Sequence, residues 1–397
     1  MGEAQQQGDK GILGMVAATL VSRSVINTCN RFIYPFAPVI SRGLSVPLTA
    51  VTSVIAINQA TSLLGLFTSP LGDRTGYRRM MVTGLLALIA GMMLAGALPF
   101  YYSLMVAMFL SGLCKSLFDP AIQAYVGKRV SYRRRGLVVG ILEISWSVAT
   151  LVGIPCLGLL IDRFGWRSPF FALGGLAAIS LALVVHYIKD DSQEETVVRK
   201  KRGTIRSLTA LLNNRKALGV VGVGFLMGAA NDNLFVIYGA WLERSFDMSV
   251  VALGLGTGVI GVAELCGSSF TAAFSDRLGI RRSVAWGISL CALSYLLIPR
   301  AGHSLSLSLA GLFAVFLFYE QSIVAFISLC TELLPGARAT MMSLLIASAG
   351  LGRVAGALSG GMVWQALGME TVCVISSLLT FGALGFLLWG TKGWTPE

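Results

Sequence analysis

The sequence predicts an all-α membrane protein of twelve transmembrane helices, arranged as two pseudo-symmetric six-helix bundles. Three observations predict it. The 397 residues are 55% hydrophobic and 13% charged, with mean hydropathy +0.75, whereas soluble domains are about 25% charged. The apolar residues fall in runs close to the ~20 residues a helix needs to cross the hydrocarbon. The chain also repeats itself. Asp73-Arg74-Thr75-Gly76-Tyr77-Arg78-Arg79 returns 203 residues later as Asp276-Arg277-Leu278-Gly279-Ile280-Arg281-Arg282. The same offset relates Arg135 to Arg338, Gly153 to Gly356, Gly158 to Gly361 and Gly165 to Gly368, as an internal duplication would.

In order, the apolar runs place spans 1–6 near 11–40, 49–70, 80–99, 102–126, 136–161 and 167–188. Spans 7–12 follow near 217–242, 249–273, 283–299, 304–334, 340–367 and 370–390. The first run follows a polar start without a basic region and lacks a cleavage pattern, so it reads as a retained span. The runs do not alternate apolar with polar, which argues against a closed β-barrel. Gly350, Gly352, Gly356, Gly360 and Gly361 in span 11 suit close approach of helix backbones. The organisation expected is a bundle over 1–188, a linker over 189–216 and a second bundle over 217–397. Within the linker, Ile205, Leu208, Leu211 and Leu212 recur at helical spacing. They suit an amphipathic helix on a lipid surface or an ordinary connecting helix.

Basic residues set the expected orientation. With the N-terminus inside, the inner segments hold 22 Lys and Arg and the outer segments five: Arg42, Arg163, Arg167, Arg244 and Arg300. That bias places both termini in the cytoplasm and the protein in the inner cell membrane. It also accounts for the net charge of +12. The bilayer itself, with anionic lipids at the cytoplasmic face, is the partner such charge implies, and no aromatic-basic groove suggests nucleic acid. Seven cysteines are scattered singly in apolar runs, and His186 and His303 have no ligand partner at usable spacing. Neither a metal site nor a catalytic constellation can be assembled, so no cofactor and no enzyme activity are expected. A G-x-x-x-x-G-K-[ST] phosphate loop is also missing, which leaves an ion gradient as the energy source.

The repeated charged loop has a physical logic. An acid at the end of one span can accept hydrogen bonds from a neighbouring helix N-terminus. Gly76 and Gly279 allow the reversal, and Arg78, Arg79, Arg281 and Arg282 can pair with acids or lipid phosphates. Two six-span halves, a basic linker and D-R-x-G-x-R-R in both copies resemble the major facilitator superfamily, over essentially the whole chain. Ser69 and Ala272 stand where the family pattern opens with glycine. The resemblance implies a gate in which Asp73 latches onto the start of span 11 near Ala339 and Thr340, and Asp276 onto span 5 at Gly136. In span 5, Gly153-Ile154-Pro155-Cys156-Leu157-Gly158 is similar to the glycine-proline pattern of drug:proton antiporters. Its glycine and proline are not adjacent, and Met108 stands where those proteins carry an arginine in span 4.

The sharper functional signal is charge inside the spans: Arg23, Arg31, Lys115, Asp119, Glu143, Asp232, Glu264, Glu320 and Arg353. Each costs ~2.5–3.5 kcal/mol or more at mid-bilayer. Nine such costs require these groups to face one another or a hydrated cavity, where a solute would sit. Lys115 and Asp119 share a face of span 4 as an i, i+4 pair. Arg23, Asn27 and Arg31 share a face of span 1 with Tyr34 one turn on, and Asn231, Asp232, Asn233 and Tyr238 form the counterpart in span 7. One of Glu264 and Glu320 is expected to pair with Arg353, leaving the other free to exchange protons. A self-neutralised network that only orders the helices is the alternative. The expected function is secondary active transport by alternating access: proton-coupled export of an amphipathic or cationic small molecule by a monomer. A proton-coupled importer or lysolipid-like flippase is the runner-up, and a non-transporting sensor or scaffold is the reading from another class.

Overall fold

The computed structural model describes residues 2–65, 75–129, 132–189, 214–334 and 337–394. All regular structure among them is helical. Helices α1 (Gly2–Arg31) and α2 (Ile33–Leu44) make span 1, and α3 (Leu48–Ala60) with a tight turn at Thr61–Leu64 makes span 2. Spans 3 and 4 are α4 (Tyr77–Ala97) and α5 (Tyr101–Arg129). Span 5 comprises α6 (Tyr132–Val148), a wide turn at Ala149–Gly153 and α7 (Ile154–Phe164), and span 6 is α8 (Ser168–Tyr187). Span 7 is α9 (Arg215–Phe235) with α10 (Tyr238–Phe246). Spans 8–10 are α11 (Val250–Leu278), α12 (Ile280–Ala301) and α13 (Leu305–Leu333), and α14 (Arg338–Gly390) holds spans 11 and 12.

Nine helical segments among the described residues are long and apolar enough to cross a bilayer. The twelve passes follow from them. Thr340–Gly390 is two passes, because Gly368 takes φ 80° and reverses the chain inside α14. Spans 1 and 2 miss the criterion singly. Arg23 and Arg31 interrupt one, and the apolar helix of the other is described only over Leu48–Leu64. Leu86, Phe109, Ile179, Leu255 and Trp286 stand exposed on the outer surface, as acyl chains would favour.

The breaks within spans have local causes. Pro35 lies four residues after Arg31, so its ring opposes that carbonyl and no amide returns the bond, which breaks span 1 at Phe32. Pro155 has the same effect behind the wide turn of span 5. The duplication is also visible in the backbone. Gly165 and Gly368 turn the chain at φ 83° and 80°, at equivalent corners between spans 5–6 and 11–12.

Two ends of the molecule can be distinguished. The motif end carries Gly76 and Gly279, and the opposite end carries Arg42. Span 11 packs on two neighbours through glycine. Side chains at Gly352, Gly356 and Gly360 would run into the carbonyls of Phe225, Ala229 and Asn233 in span 7. Gly350 and Gly361 instead sit against Ser62 and Thr52 of span 2. Spans 5 and 8 meet similarly, with Gly158 against the Val250 carbonyl and Gly254 against that of Ile154. At the Arg42 end α2 seats on α10, where Gly239 lies directly over the Pro35 backbone.

Candidate functional site

Most of the charged residues of the spans meet in ion pairs, all of them between spans except Lys115–Asp119. Arg31 holds Glu264 of span 8 through both terminal nitrogens at 2.7 Å, and its Nη1 also donates to Thr150 Oγ1 at 2.8 Å. This pair joins the first half of the sequence to the second. Lys115 Nζ lies 3.0 Å from Asp119, its i, i+4 partner, and donates to Asn27 Oδ1 at 2.6 Å. Arg23 completes the group, 3.2 Å from Asp119 and 3.0 Å from Glu143. A buried ion pair joining separate helices is costly to break from one side, about 3–5 kcal/mol, because the remaining charge stays uncompensated.

Arg353 differs from the expectation. It pairs neither with Glu264 nor with Glu320. Its Nε reaches both oxygens of Asp232, at 3.3 and 3.2 Å, and Asp232 is fully buried. The glycine stripe explains the choice. Gly228 and Gly352 bring span 11 so close to span 7 that the stem of Arg353 lies over Gly228, one helical turn before Asp232. Glu264 is taken by Arg31, and among the described residues Glu320 accepts from Ser268 Oγ alone, at 3.0 Å. No Lys or Arg among the described residues lies within ion-pairing distance of Glu320.

Between spans 1, 2, 4, 5 and 11 lies a cavity of about 500 Å³. It runs from Arg31 and Arg353, midway along their spans, toward the motif end, where Gly65, Gln123 and Ser343 line it. Of the sequence-selected residues Arg31, Lys115, Asp119 and Arg353 form its wall. Asn27, Tyr34, Tyr238, Asp232, Glu143, Glu264 and Glu320 are not on that wall. Asn27 donates to Ser145 Oγ at 3.1 Å, and Tyr238 shares a 2.8 Å hydrogen bond with Thr257. Tyr34 stacks on Phe235 with ring centroids 4.3 Å apart. Trp146 sits between two cations, with its ring centroid 4.1 Å from Lys115 Nζ and 4.6 Å from the Arg31 guanidinium carbon, which fixes both along the wall.

Several polar residues escaped the sequence reading. Asn58 donates to Asn30 Oδ1 at 2.7 Å and to the Met108 carbonyl at 2.8 Å, and Gln59 donates to the Tyr34 hydroxyl at 2.6 Å. Asn233, which the sequence reading did place in the polar stripe of span 7, donates to Ser376 Oγ and the Val372 carbonyl and accepts from Ser359. The signal was present. Asn30 and Asn233 are 203 residues apart, and Asn58-Gln59 is a polar pair inside an apolar run.

Of the gating motif, Asp73 and Arg74 lie outside the described residues, as do the side chains of Asp276 and Ala339 and the surroundings of Gly136. The proposed latches therefore fall outside them too, as does the linker helix over 205–212. Gly76 and Gly279 take φ 91° and 80°, the left-handed region that the reversal requires. Arg78 Nη2 donates to the Val185 carbonyl at 2.7 Å, and Arg281 Nε to Thr391 Oγ1 at 2.9 Å, each tying its loop to the last span of its half. Arg79, Arg277 and Arg282 are exposed.

A lipid-suited helical shell around a charged internal cavity is the architecture of a multi-pass membrane transporter. Comparison with known proteins agrees. The family model described as Major Facilitator Superfamily matches residues 19–230 and again 220–396. The chain belongs to the major facilitator superfamily. The uncharacterized MFS-type transporter YceJ of Bacillus subtilis is 24% identical over 304 residues, 77% of each chain. The multidrug resistance protein MdtG of Salmonella arizonae is 26% identical over 282 residues, 67% of each. Among solved structures, a bacterial homolog to the human lysosomal transporter Spinster, in an inward-facing and occupied conformation, superposes with TM-score 0.79 at 12% identity. That match covers 96% of this chain and 98% of the other.

Proposed function

We propose that this protein is a proton-coupled secondary transporter in which residues 1–188 and 217–397 rock about the cavity as two bodies joined by 189–216. With the motif end and both termini in the cytoplasm, the cavity opens inward and the Arg42 end is the closed outer gate. One observation carries the coupling. The Arg31–Glu264 pair, with 2.7 Å contacts, bridges the two bodies beside the cavity. A second acid, Glu320, is held among the described residues by one hydroxyl alone. Alternation has to open or remodel that bridge, and a proton on Glu264 weakens it by removing the charge that Arg31 holds. Glu320 is the second proton station. The name of the relative MdtG favours export, with uptake the other direction such a site supports.

Flux into proteoliposomes under an imposed pH gradient tests the proposal. Glu264→Gln and Glu320→Gln, each purified folded, are expected to abolish gradient-driven accumulation while leaving downhill exchange. Accumulation at the wild-type rate in both variants refutes the assignment. Proteoliposomes that move no solute from a panel of amphipaths, in either direction, favour the scaffold reading.

A further inference from the structure

Counting charges in the spans favours a cationic cargo, since five acids face four cations. Their placement reverses that. Only Asp119 among the five acids borders the cavity, and it is already held by Lys115 and Arg23 at 3.0 and 3.2 Å. Three cations border it: Arg31, Lys115 and Arg353. The acids paired with the two arginines stand behind the wall, so each pair turns its positive end toward the cavity. For Arg353 the asymmetry is largest. Its side chain is 28% exposed while that of Asp232 is 0%. Asp232 is completed from behind by Asn231 Nδ2 at 3.2 Å and the Tyr34 hydroxyl at 3.4 Å.

The donors are unequally used. Arg31 spends both terminal nitrogens on Glu264 and Thr150. Arg353 spends Nε alone, and its two terminal nitrogens have no protein partner among the described residues. An unoccupied guanidinium fork at the blind end of a cavity matches the paired oxygens of a carboxylate. Lys115 supplies a second positive charge on the same wall, and Trp146 and Ile346 supply apolar surface.

We propose that the cargo is an organic anion whose carboxylate docks on the free fork of Arg353, with Lys115 as the second cation and Trp146 and Ile346 against its apolar body. This rests on the transport reading above, and the two can fail separately.

The test is ligand-induced thermal stabilisation of the purified full-length protein, with probes that share one ring and differ in charge: indole-3-acetate, indole-3-acetamide and tryptamine. The anion is expected to stabilise saturably and to bind at least about tenfold more tightly than the amide, with tryptamine weaker still, since a charge-assisted bidentate contact is lost. Arg353→Lys keeps the charge without the fork and should fall between the wild type and Arg353→Gln. Because Arg353→Gln alone leaves Asp232 uncompensated, the double variant Asp232→Asn/Arg353→Gln is the folded control, and it should lose the preference for the anion. Lys115→Gln should weaken the anion and spare the amide. Tryptamine binding as tightly as indole-3-acetate, an anion preference that survives in the double variant, or no stabilisation by indole-3-acetate, benzoate or octanoate up to solubility would each overturn the proposal. Anion binding without flux in proteoliposomes would sink the transport reading and leave this one standing. Saturable transport of tryptamine would do the reverse.

Discussion

Gly239 offers the most direct handle on the closed end. A Cβ built there would lie 2.5 Å from the Pro35 carbonyl oxygen and 2.8 Å from its Cα, whereas ordinary contact begins at 3.4 Å. All of these neighbours are backbone, so no side chain can swing away. Alanine at 239 therefore forces α2 and α10 apart by most of an ångström, at an overpacking cost of ~1–3 kcal/mol. The cost falls only on the conformer in which the two helices touch, so the equilibrium should shift ~5- to 150-fold toward the form open at the Arg42 end. The neighbouring Arg42–Glu243 pair, with contacts of 2.7 and 3.0 Å, invites the rival idea that an ion pair holds this end shut. The Arg42 side chain is 61% exposed, and exposed pairs contribute ~0.2–1 kcal/mol, so Arg42→Gln should shift the same equilibrium only a few-fold. Spin labels at Ser45→Cys and Ser245→Cys, with the exposed Cys156 and Cys266 replaced, would report the separation by pulsed electron resonance. A longer-distance population should grow in Gly239→Ala, grow further in Gly239→Val and barely change in Arg42→Gln. An unchanged distance distribution in folded Gly239→Ala, or a larger effect from Arg42→Gln, would refute steric closure by backbone.

Two further outcomes follow from the ion pairs. Asp232→Asn leaves Arg353 without its charge partner and should lower stability by ~2–3 kcal/mol, short of the 3–5 expected for full burial because Arg353 borders water. Adding Arg353→Gln should recover at least ~1 kcal/mol of that in thermal or denaturant unfolding, and strictly additive losses would show that the two residues are not coupled. The second concerns the charge beside Arg31. Glu264 is faced by Arg31 from span 1, with Glu320 of span 10 and Arg353 of span 11 in the same cluster. Glu264→Gln removes the negative charge held by Arg31, so the wall of the cavity becomes more positive. Affinity for indole-3-acetate should then rise in folded Glu264→Gln. A lower affinity for the anion in that variant would contradict the reasoning.

Hydropathy, the 203-residue repeat and the basic bias made the passes legible, because each is written in residue type along the chain. The Lys115–Asp119 pair was legible for the same reason, since both partners sit on one helix face. Pairings between helices were not. Whether Arg353 meets Asp232, Glu264 or Glu320 depends on how closely spans 7 and 11 approach, and that distance is set by where Gly228 and Gly352 meet across the interface. The glycines can be seen in the sequence, but their mutual register cannot. Span 1 shows the same division. Pro35 announces a break near Phe32, yet nothing local says that the break carries α2 onto the backbone of α10.

The orientation of the pairs links two questions that sequence treats separately, cargo charge and transport direction. A cationic cargo would compete with the proton for the same carboxylates, so each would leave as the other arrived, and an inward proton gradient would drive export. An anion competes instead with those carboxylates for the arginines. Protonation of Glu264 then frees Arg31 as the anion settles on Arg353, and cargo and proton load together on the same face. The gradient in that case drives uptake. With Glu264 and Asp232 behind their arginines, the anion site proposed above entails the second arrangement, whereas the export that the name of MdtG favours entails the first. Matched anionic and cationic ligands therefore test the sign of coupling before any flux is measured.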